Sequence, residues 1–497
     1  MTNALLVYPE SPTSYWSLEH ALDFVGKRSP MPPLGLLTVA GMFSEEFRLR
    51  IVDMNITPLT DADLNWADIV FTSTMIVQKD SLKEVIDRCN QVKVPVVAGG
   101  PHPTSFYDEI KGVDYFLLGE VEDILEEFLN DLKNGVAKHV YRALTRPDIT
   151  KTPLPRYDLI DMRDYASMAI QWSRGCPFNC EFCDITKLFG RNPRTKTNKQ
   201  VLVELDLLYD LGWRGPLFFV DDNFIGNKKK AMRLLPEIAN WQKERNYPFA
   251  LYTEASVNLA EMEPLMNAMV DASFNMVFLG IETTNSEALL KTKKHQNIKK
   301  GAENYLFNAV RKIQEKGLEV SAGFVLGLDG DREDVFDALI QFIQEAGISM
   351  AMVGILTALK GTDLHDRLQR EDRLLEESTG NNISIELNFE PEMDRQTLID
   401  GYKHVLATLY DPGLKNYFER CLTMIKHLKP TGNNVRGIGK TELMALIRSI
   451  KRQLFSRQGP AYLRFLFKVA KDYPRFFPEA VRLAIMGYHF EKVTSEL

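Results

Sequence analysis

Short uninterrupted apolar runs alternate with longer stretches in which apolar residues recur every three or four positions, from the first residues to about residue 360. In the first 150 residues, NALLVY (3–8), RLRIVD (48–53), DIVFTST (68–74), VPVVAGG (94–100) and DYFLLGE (114–120) predict buried strands. LGLLTVAGMF (34–43), SLKEVIDRCNQV (81–92) and VEDILEEFLNDLK (121–133) predict the helices between them. Apolar runs without a polar face belong to strands covered on both sides, and strand–helix alternation belongs to a parallel sheet. The expected fold class is α/β, beginning with a doubly wound, Rossmann-like sheet over residues 1–145. Such sheets bind ligands beyond the carboxyl ends of their strands. The chain places GGPHP (99–103) and Gly119–Glu120 there.

A proline-rich stretch, RPDITKTPLPRYDLID (146–161), predicts an extended linker over 146–165. A second alternating series follows, with strands expected at SMAIQW (167–172), PLFFVD (216–221), FALYTE (249–254), NMVFLGIE (275–282), EVSAGFVLG (319–327) and MAMVGILTA (350–358). Six β/α units in so short a span predict a partial (β/α)6, TIM-like barrel over 166–384, with chemistry at the carboxyl ends of its strands. From 385 to 497 the alternation gives way to a mostly helical domain.

Composition narrows the class. The chain of 497 residues is 45% hydrophobic and 26% charged, as in soluble globular proteins. Its longest apolar runs fall well short of the roughly 18–20 residues that span a bilayer. No basic and then apolar leader is visible at the start, and five clustered cysteines do not form a disulfide framework, so a cytoplasmic location is expected.

Three of those cysteines, Cys176, Cys180 and Cys183, crowd into RGCPFNCEFCDI (174–185) directly after an expected strand. Structural zinc usually takes four protein ligands, and a dithiol redox site leaves one thiol unused. An iron–sulfur cluster with three cysteine ligands keeps one iron open. Cys89 and Cys421 are isolated, and core filling is the default role for such cysteines.

CPFNCEFC after a strand, with Phe182 before the last cysteine, resembles the radical S-adenosylmethionine (SAM) superfamily. The resemblance implies a [4Fe–4S] cluster on the three cysteines and SAM at its open iron. It also implies SAM contacts at the ends of successive strands: Asp221, Asp222 and Asn223, then Glu254, then Glu282, then Gly323 and Gly327. Arg191 and Arg194 follow the cysteine loop and would face substrate, SAM or water.

A doubly wound domain ahead of such a barrel resembles the cobalamin-dependent radical SAM enzymes. This implies a corrinoid against Pro33, Leu34, Gly35, Ser73, Thr74, Met75, Gly99, Gly100, His102, Gly119 and Glu120. Where cobalamin mutases carry a cobalt-ligating histidine, this chain has Asn55 in VDMNIT, so Met75 or Gln78 is expected nearest the cobalt. By the same resemblance the protein is a methyltransferase acting on an unactivated carbon, with flavodoxin or ferredoxin as electron donor. Non-methylating radical chemistry, or a cobalamin sensor with a structural cluster, are the alternatives.

The layout and its ending look most like hopanoid C-2 methylases, which implies a lipid or other small-molecule substrate. Residues 420–497 hold 15 Lys and Arg against 5 Asp and Glu, although the whole chain carries −7. In GPAYLRFLFKVAKDYPRFF, Leu463, Leu466, Phe467 and Ala470 form one stripe, with Arg464, Lys468 and Lys471 beside it. The pattern fits either a pair of helices lying on an anionic bilayer or a helical cap with its charges in water. No nucleic-acid module is recognisable.

Overall fold

The computed structural model describes residues 1–302, 304–381, 383–431 and 440–496. The first sheet has six parallel strands in the order β2-β1-β3-β4-β5-β6. They are β1 (Thr2–Tyr8), β2 (Phe47–Asp53), β3 (Ile69–Ser73), β4 (Val96–Gly99), β5 (Tyr115–Leu118) and β6 (Val140–Arg142). Apolar cores cover both faces, one around Leu5, Val70 and Ile86, the other around Leu6, Phe71 and Phe128. The order reverses between β1 and β3, which opens a crevice at their carboxyl ends.

β7 (Met168–Ile170) starts the second sheet, and β8 (Ser173–Arg174) pairs antiparallel with β9 (Arg194–Thr195) around the cysteine loop. The sheet continues through β10 (Pro216–Phe219), β11 (Ala250–Ala255), β12 (Phe274–Glu282), β13 (Glu319–Leu326) and β14 (Ala351–Ile355). All six are parallel and sit side by side in chain order, a curved half-barrel. Alternate residues take opposite faces. Leu251, Thr253, Val277, Leu279, Val320 and Ala322 are buried against the outer helices, whereas Tyr252, Glu254, Met276, Phe278 and Gly323 keep accessible surface on the inner wall.

Residues 146–165 are not an extended tether. Three short turns fold there, and Ile149, Tyr157 and Tyr165 are buried between the two sheets. Tyr157 donates to Ala169 O (2.6 Å) and Tyr165 to Asp53 (3.0 Å), so the stretch straps the halves together. Its aromatic residues decide this in spite of the prolines.

The last part of the chain contributes helices Arg395–Leu409, Lys415–His427, Lys440–Gln453, Gly459–Asp472 and Phe477–Ser495. They close the amino-terminal end of the half-barrel, where Arg420 is buried between the rings of Tyr410 and Tyr417. They also grip the segment after β1. Tyr15 packs on Phe490 and Phe24 on Tyr488, while Arg448 donates to Phe24 O. No described helix is long and apolar enough to cross a membrane.

Candidate active site

The cysteine loop begins with a turn that needs glycine. Gly175 has φ +97, and a Cβ there would lie 2.7 Å from Gly190 O. Asp222 accepts from the Gly175 amide (2.6 Å), and Cys176 N donates to Gly190 O (3.1 Å). Farther along, Glu181 accepts from Arg367 (2.8 Å), and its backbone receives Leu364 N (3.0 Å). Helix Asp363–Arg370 thus anchors the loop from outside, and Asp329 holds the other side of Arg367 (2.7 Å).

All three thiols are free and partly exposed. Burial pushes those of Cys176 and Cys183 up, and Lys294 is the nearby cation that favours their thiolates. Asn223 Nδ2 lies 3.8 Å from Cys176 Sγ and Gln296 Nε2 lies 3.3 Å from Cys180 Sγ, a second layer that orients sulfur. Among the described residues no three His, Cys, Asp or Glu side chains converge on a single-ion site.

The segment Thr292–Asn297 is the part of the site that the sequence reading missed. Lys294 pairs with Glu282 (2.6 Å) and lies 5.8 Å from the Phe182 ring centroid. Burial lowers its ammonium, but the Glu282 carboxylate together with the Cys180 and Cys183 sulfurs more than reverses this, so Lys294 stays charged. Thr292 O accepts from Glu181 N (2.9 Å), and Asn297 donates to Gly280 O and Ile281 O (2.9 and 2.8 Å). Glu282 itself sits at a bulge of β12 with φ +65, a left-handed conformation uncommon outside glycine. A Cβ on Gly280 would meet Glu282 Oε1 at 2.5 Å and Lys294 Nζ at 2.8 Å.

The strand-end acids divide into two kinds. Asp221 is fully engaged in structure: it accepts from Trp172 N (2.8 Å) and Ser173 Oγ (2.7 Å), and burial raises its carboxyl to about 7. Asp222 is raised to about 6 by burial. Glu254 has no hydrogen-bond partner among the described residues and retains accessible surface on the inner wall. Burial, then the charges of Asp222 and Asp221, lift it to about 8. Asn223 Oδ1, Gln296 Oε1 and Asn297 Oδ1 are buried without partners. Buried polar atoms are rarely left so. Together with Glu254 and three thiols, these atoms fit a cluster and a polar ligand carrying an ammonium and hydroxyls.

Two glycines expected near SAM are closely packed by side chains. The edge of the Phe278 ring abuts Gly323, where a Cβ would be 3.3 Å from Cζ. Gly327, at φ +84, abuts Leu398 of helix Arg395–Leu409, 2.8 Å from its would-be Cβ.

Deeper in the half-barrel the wall turns apolar. Phe218 and Tyr252 stack at 4.7 Å with 3° between planes, and Met276 and Phe278 continue the surface. Trp16, from the loop after β1, packs its ring 5.1 Å from Phe278. Nothing in the local sequence marks Trp16, because its partner lies more than two hundred residues away.

In the first sheet a cleft of about 430 Å³ opens at the switch point. Pro33, Leu34, Gly35, Ser73, Thr74 and Met75 line it, joined by Tyr8, Pro32, Leu36 and Pro101. Thr74 Oγ1 is buried there without a partner, and Met75 is half exposed. Gly100, at φ +94, lets its strand end close on β3: a Cβ would be 2.7 Å from Thr74 N. These features suit a flat, amide-bearing ligand, which needs close backbone approach.

The remaining residues expected around a corrinoid have partners within the chain. Gln78 is buried, donating to Pro9 O (2.6 Å) and accepting from Met75 N (2.9 Å). Asn55 bonds Asp53 (2.8 Å) and Ser11 N (2.9 Å). His102 is buried beside Phe106, and burial lowers it to about 4, which keeps it neutral. Gly99 packs against Leu117 O, and Gly119 against Ala143. Glu120 is taken up by Arg174 (2.8 Å) and Arg194 (2.7 Å), with Glu122 also on Arg174 (2.6 Å). This buried quartet joins the end of β5 to the β8–β9 hairpin that carries the cysteine loop, and Arg194 is used up in it. Arg191 is exposed and donates to Pro177 O (3.3 Å).

Comparison with known proteins gives three family matches. The B12 binding domain matches residues 27–129, the Radical SAM superfamily residues 170–343, and a domain of unknown function residues 362–497. An uncharacterized methyltransferase of Synechocystis sp. is 41% identical over 98% of this chain and 91% of its own length. The hopanoid C-2 methylase of Rhodopseudomonas palustris is 36% identical over 83% of this chain and 78% of its own. Among solved structures, the cobalamin-dependent SAM radical enzyme OxsB, with aqua-cobalamin and SAM bound, gives a TM-score of 0.63 at 12% identity. It covers 100% of this chain and 80% of that one. The radical SAM methyltransferase TsrM from Kitasatospora setae, with cobalamin and a [4Fe–4S] cluster, gives 0.59 at 14% identity, covering 95% and 100%.

Proposed function

The chain belongs to the cobalamin-binding radical SAM methyltransferase family, and from that premise we propose that it methylates an unactivated carbon of an apolar, lipid-class substrate such as a hopanoid. Its cofactors are a [4Fe–4S] cluster, SAM and cobalamin. When bound, the cluster and SAM supply a carbon-centred radical and the corrinoid carries a methyl group.

The chain's own residues divide the remaining work. Cys176, Cys180 and Cys183 would hold the cluster, with Gln296 and Asn223 fixing the sulfurs and Lys294 offsetting their charge. Asn223 and Glu254 would hold the ammonium and hydroxyl groups of SAM. Tyr8, Leu34, Gly35, Thr74 and Met75 would lie against the corrinoid. Trp16, Tyr252, Met276 and Phe278 would bed the substrate and exclude water from the radical.

The observation that carries the lipid reading is the change of character along the inner wall. An ionisable rim at Glu254, Glu282 and Lys294 gives way to a wall of rings and a thioether with few hydrogen-bonding groups, which suits an apolar substrate better than a sugar, peptide or nucleotide. The test counts products from anaerobic, cluster-loaded protein with cobalamin, SAM, reductant and a bacterial lipid extract. One SAM spent as methyl donor leaves S-adenosylhomocysteine, and one spent as radical source leaves methionine and 5′-deoxyadenosine. Near-equal amounts that depend on the extract support the reading. Deoxyadenosine alone overturns methyl transfer, and turnover only with polar substrates overturns the lipid assignment.

A further inference from the structure

The last helices leave an apolar surface uncovered. In helix Lys440–Gln453, Leu443, Met444 and Ile447 are each about half exposed. The following turn presents Phe455 at 89% exposure, and helix Gly459–Asp472 presents Leu463 at 50% and Phe467 at 71%. These are not leftovers of the core. The same helices bury Ala445, Tyr462, Phe465, Leu466 and Val469 on their other sides. Leu463, Leu466, Phe467 and Ala470 therefore do not act as one stripe: Leu466 faces in, the others out. Both helices pack on helix Phe477–Ser495, so their exposed faces look away from it. Scattered exposed apolar residues are ordinary, whereas six large ones on one helical hairpin are not.

Charge says what covers them. Lys451, Arg464, Lys468 and Lys471 are exposed on these same faces, and none has a carboxylate within ion-pair distance among the described residues. The rest of the chain is acidic: residues 1–419 carry −17 against +10 for 420–497. Apolar side chains ringed by unpaired cations match the headgroup boundary of an anionic bilayer, where rings and aliphatic chains enter and lysines meet phosphates. We propose that the hairpin formed by helices Lys440–Gln453 and Gly459–Asp472 docks the protein on anionic lipid membranes. The proposal does not depend on what the active site methylates.

Flotation of full-length protein tests it. Vesicles of phosphatidylcholine alone are compared with vesicles in which about a third is phosphatidylglycerol, without substrate. Binding is expected at least tenfold stronger on the anionic vesicles and weaker with added salt, each basic residue contributing about fivefold in partitioning. Phe455→Glu with Phe467→Glu should abolish flotation while leaving the melting curve unchanged, since both rings are exposed. Arg464→Gln, Lys468→Gln and Lys471→Gln together should remove the preference for anionic lipid. Absence of flotation from either vesicle at low salt overturns the proposal. So does a stable dimer in solution that the Phe455/Phe467 variant converts to monomer, because the surface would then belong to a second copy of this chain.

Discussion

At the scale of single residues, Gly280 and Glu254 carry the sharpest expectations. Gly280→Ala places a methyl group against both members of the Glu282–Lys294 pair, and neither can retreat without leaving a charge buried. Iron content after reconstitution should fall several-fold, with less loss for Gly323→Ala, whose Cβ meets only the edge of the Phe278 ring. For Glu254, the folded, cluster-free protein keeps a proton up to about pH 8 that the unfolded chain releases near 4.5. The native state therefore binds more protons across that window, and stability falls as pH rises through it. Glu254→Gln should remove this slope. Urea midpoints compared at pH 5 and pH 8.5 should show a relative gain of about 2–4 kcal/mol for the variant at the higher pH. The cysteines were legible in the sequence because their spacing is local. Lys294, Gln296 and Trp16 were not, because each acquires meaning only from a partner that the fold brings from more than ten to more than two hundred and fifty residues away.

At the scale of elements, the strands were the readable part, because strands covered on both faces are written as continuous apolar runs. β6, β8 and β9 escaped: β6 is three residues at the sheet edge with just Tyr141 buried, and β8 and β9 are two residues each, all too short to write an apolar run. The strap over residues 146–165 was misread because proline content speaks for extended backbone and says nothing of Tyr157 and Tyr165 being buried. Glu120 illustrates the same limit. A glycine–acid pair at a strand end is consistent with ligand binding, yet the carboxylate ties the end of β5 to Arg174 and Arg194 on the β8–β9 hairpin. Glu120→Gln should cost about 3–5 kcal/mol by leaving two buried guanidiniums short of charge. It should also speed tryptic cleavage between the halves. Cobalamin titration separates the two roles: a corrinoid contact would lose affinity at unchanged stability, whereas the clamp loses stability first. Helix Asp363–Arg370 offers a parallel case, since Arg367→Met frees Glu181 within the cysteine loop. Iron retention should drop roughly 10–100-fold, the range typical of supports one layer behind metal ligands.

At the scale of the whole molecule, the two ends of the chain hold each other. The segment after β1 carries Trp16 to the inner wall of the half-barrel, and its neighbours on both sides are clamped by the last helices. Phe24 is fully buried, edge-on to Tyr488 at 5.2 Å and beneath Arg452 at 4.9 Å, while Arg448 donates to the Asp23 and Phe24 carbonyls. The helical domain is therefore a clasp that fixes how the segment after β1 sets Trp16 against the inner wall of the half-barrel. Phe24→Ala should cost about 3–5 kcal/mol, the usual loss for a buried ring replaced by a cavity. The informative readout is where that loss appears. If the clasp couples the ends, cobalamin release, tryptic cleavage near residue 440 and loss of helical signal shift to lower denaturant together. Deoxyadenosine formed per methyl transferred should also rise, because a loosened Trp16 lets radicals form over a badly seated substrate. A shift confined to the helical signal, with cobalamin release unmoved, would mean that the helices merely cap the half-barrel and that Trp16 is placed by the first sheet alone.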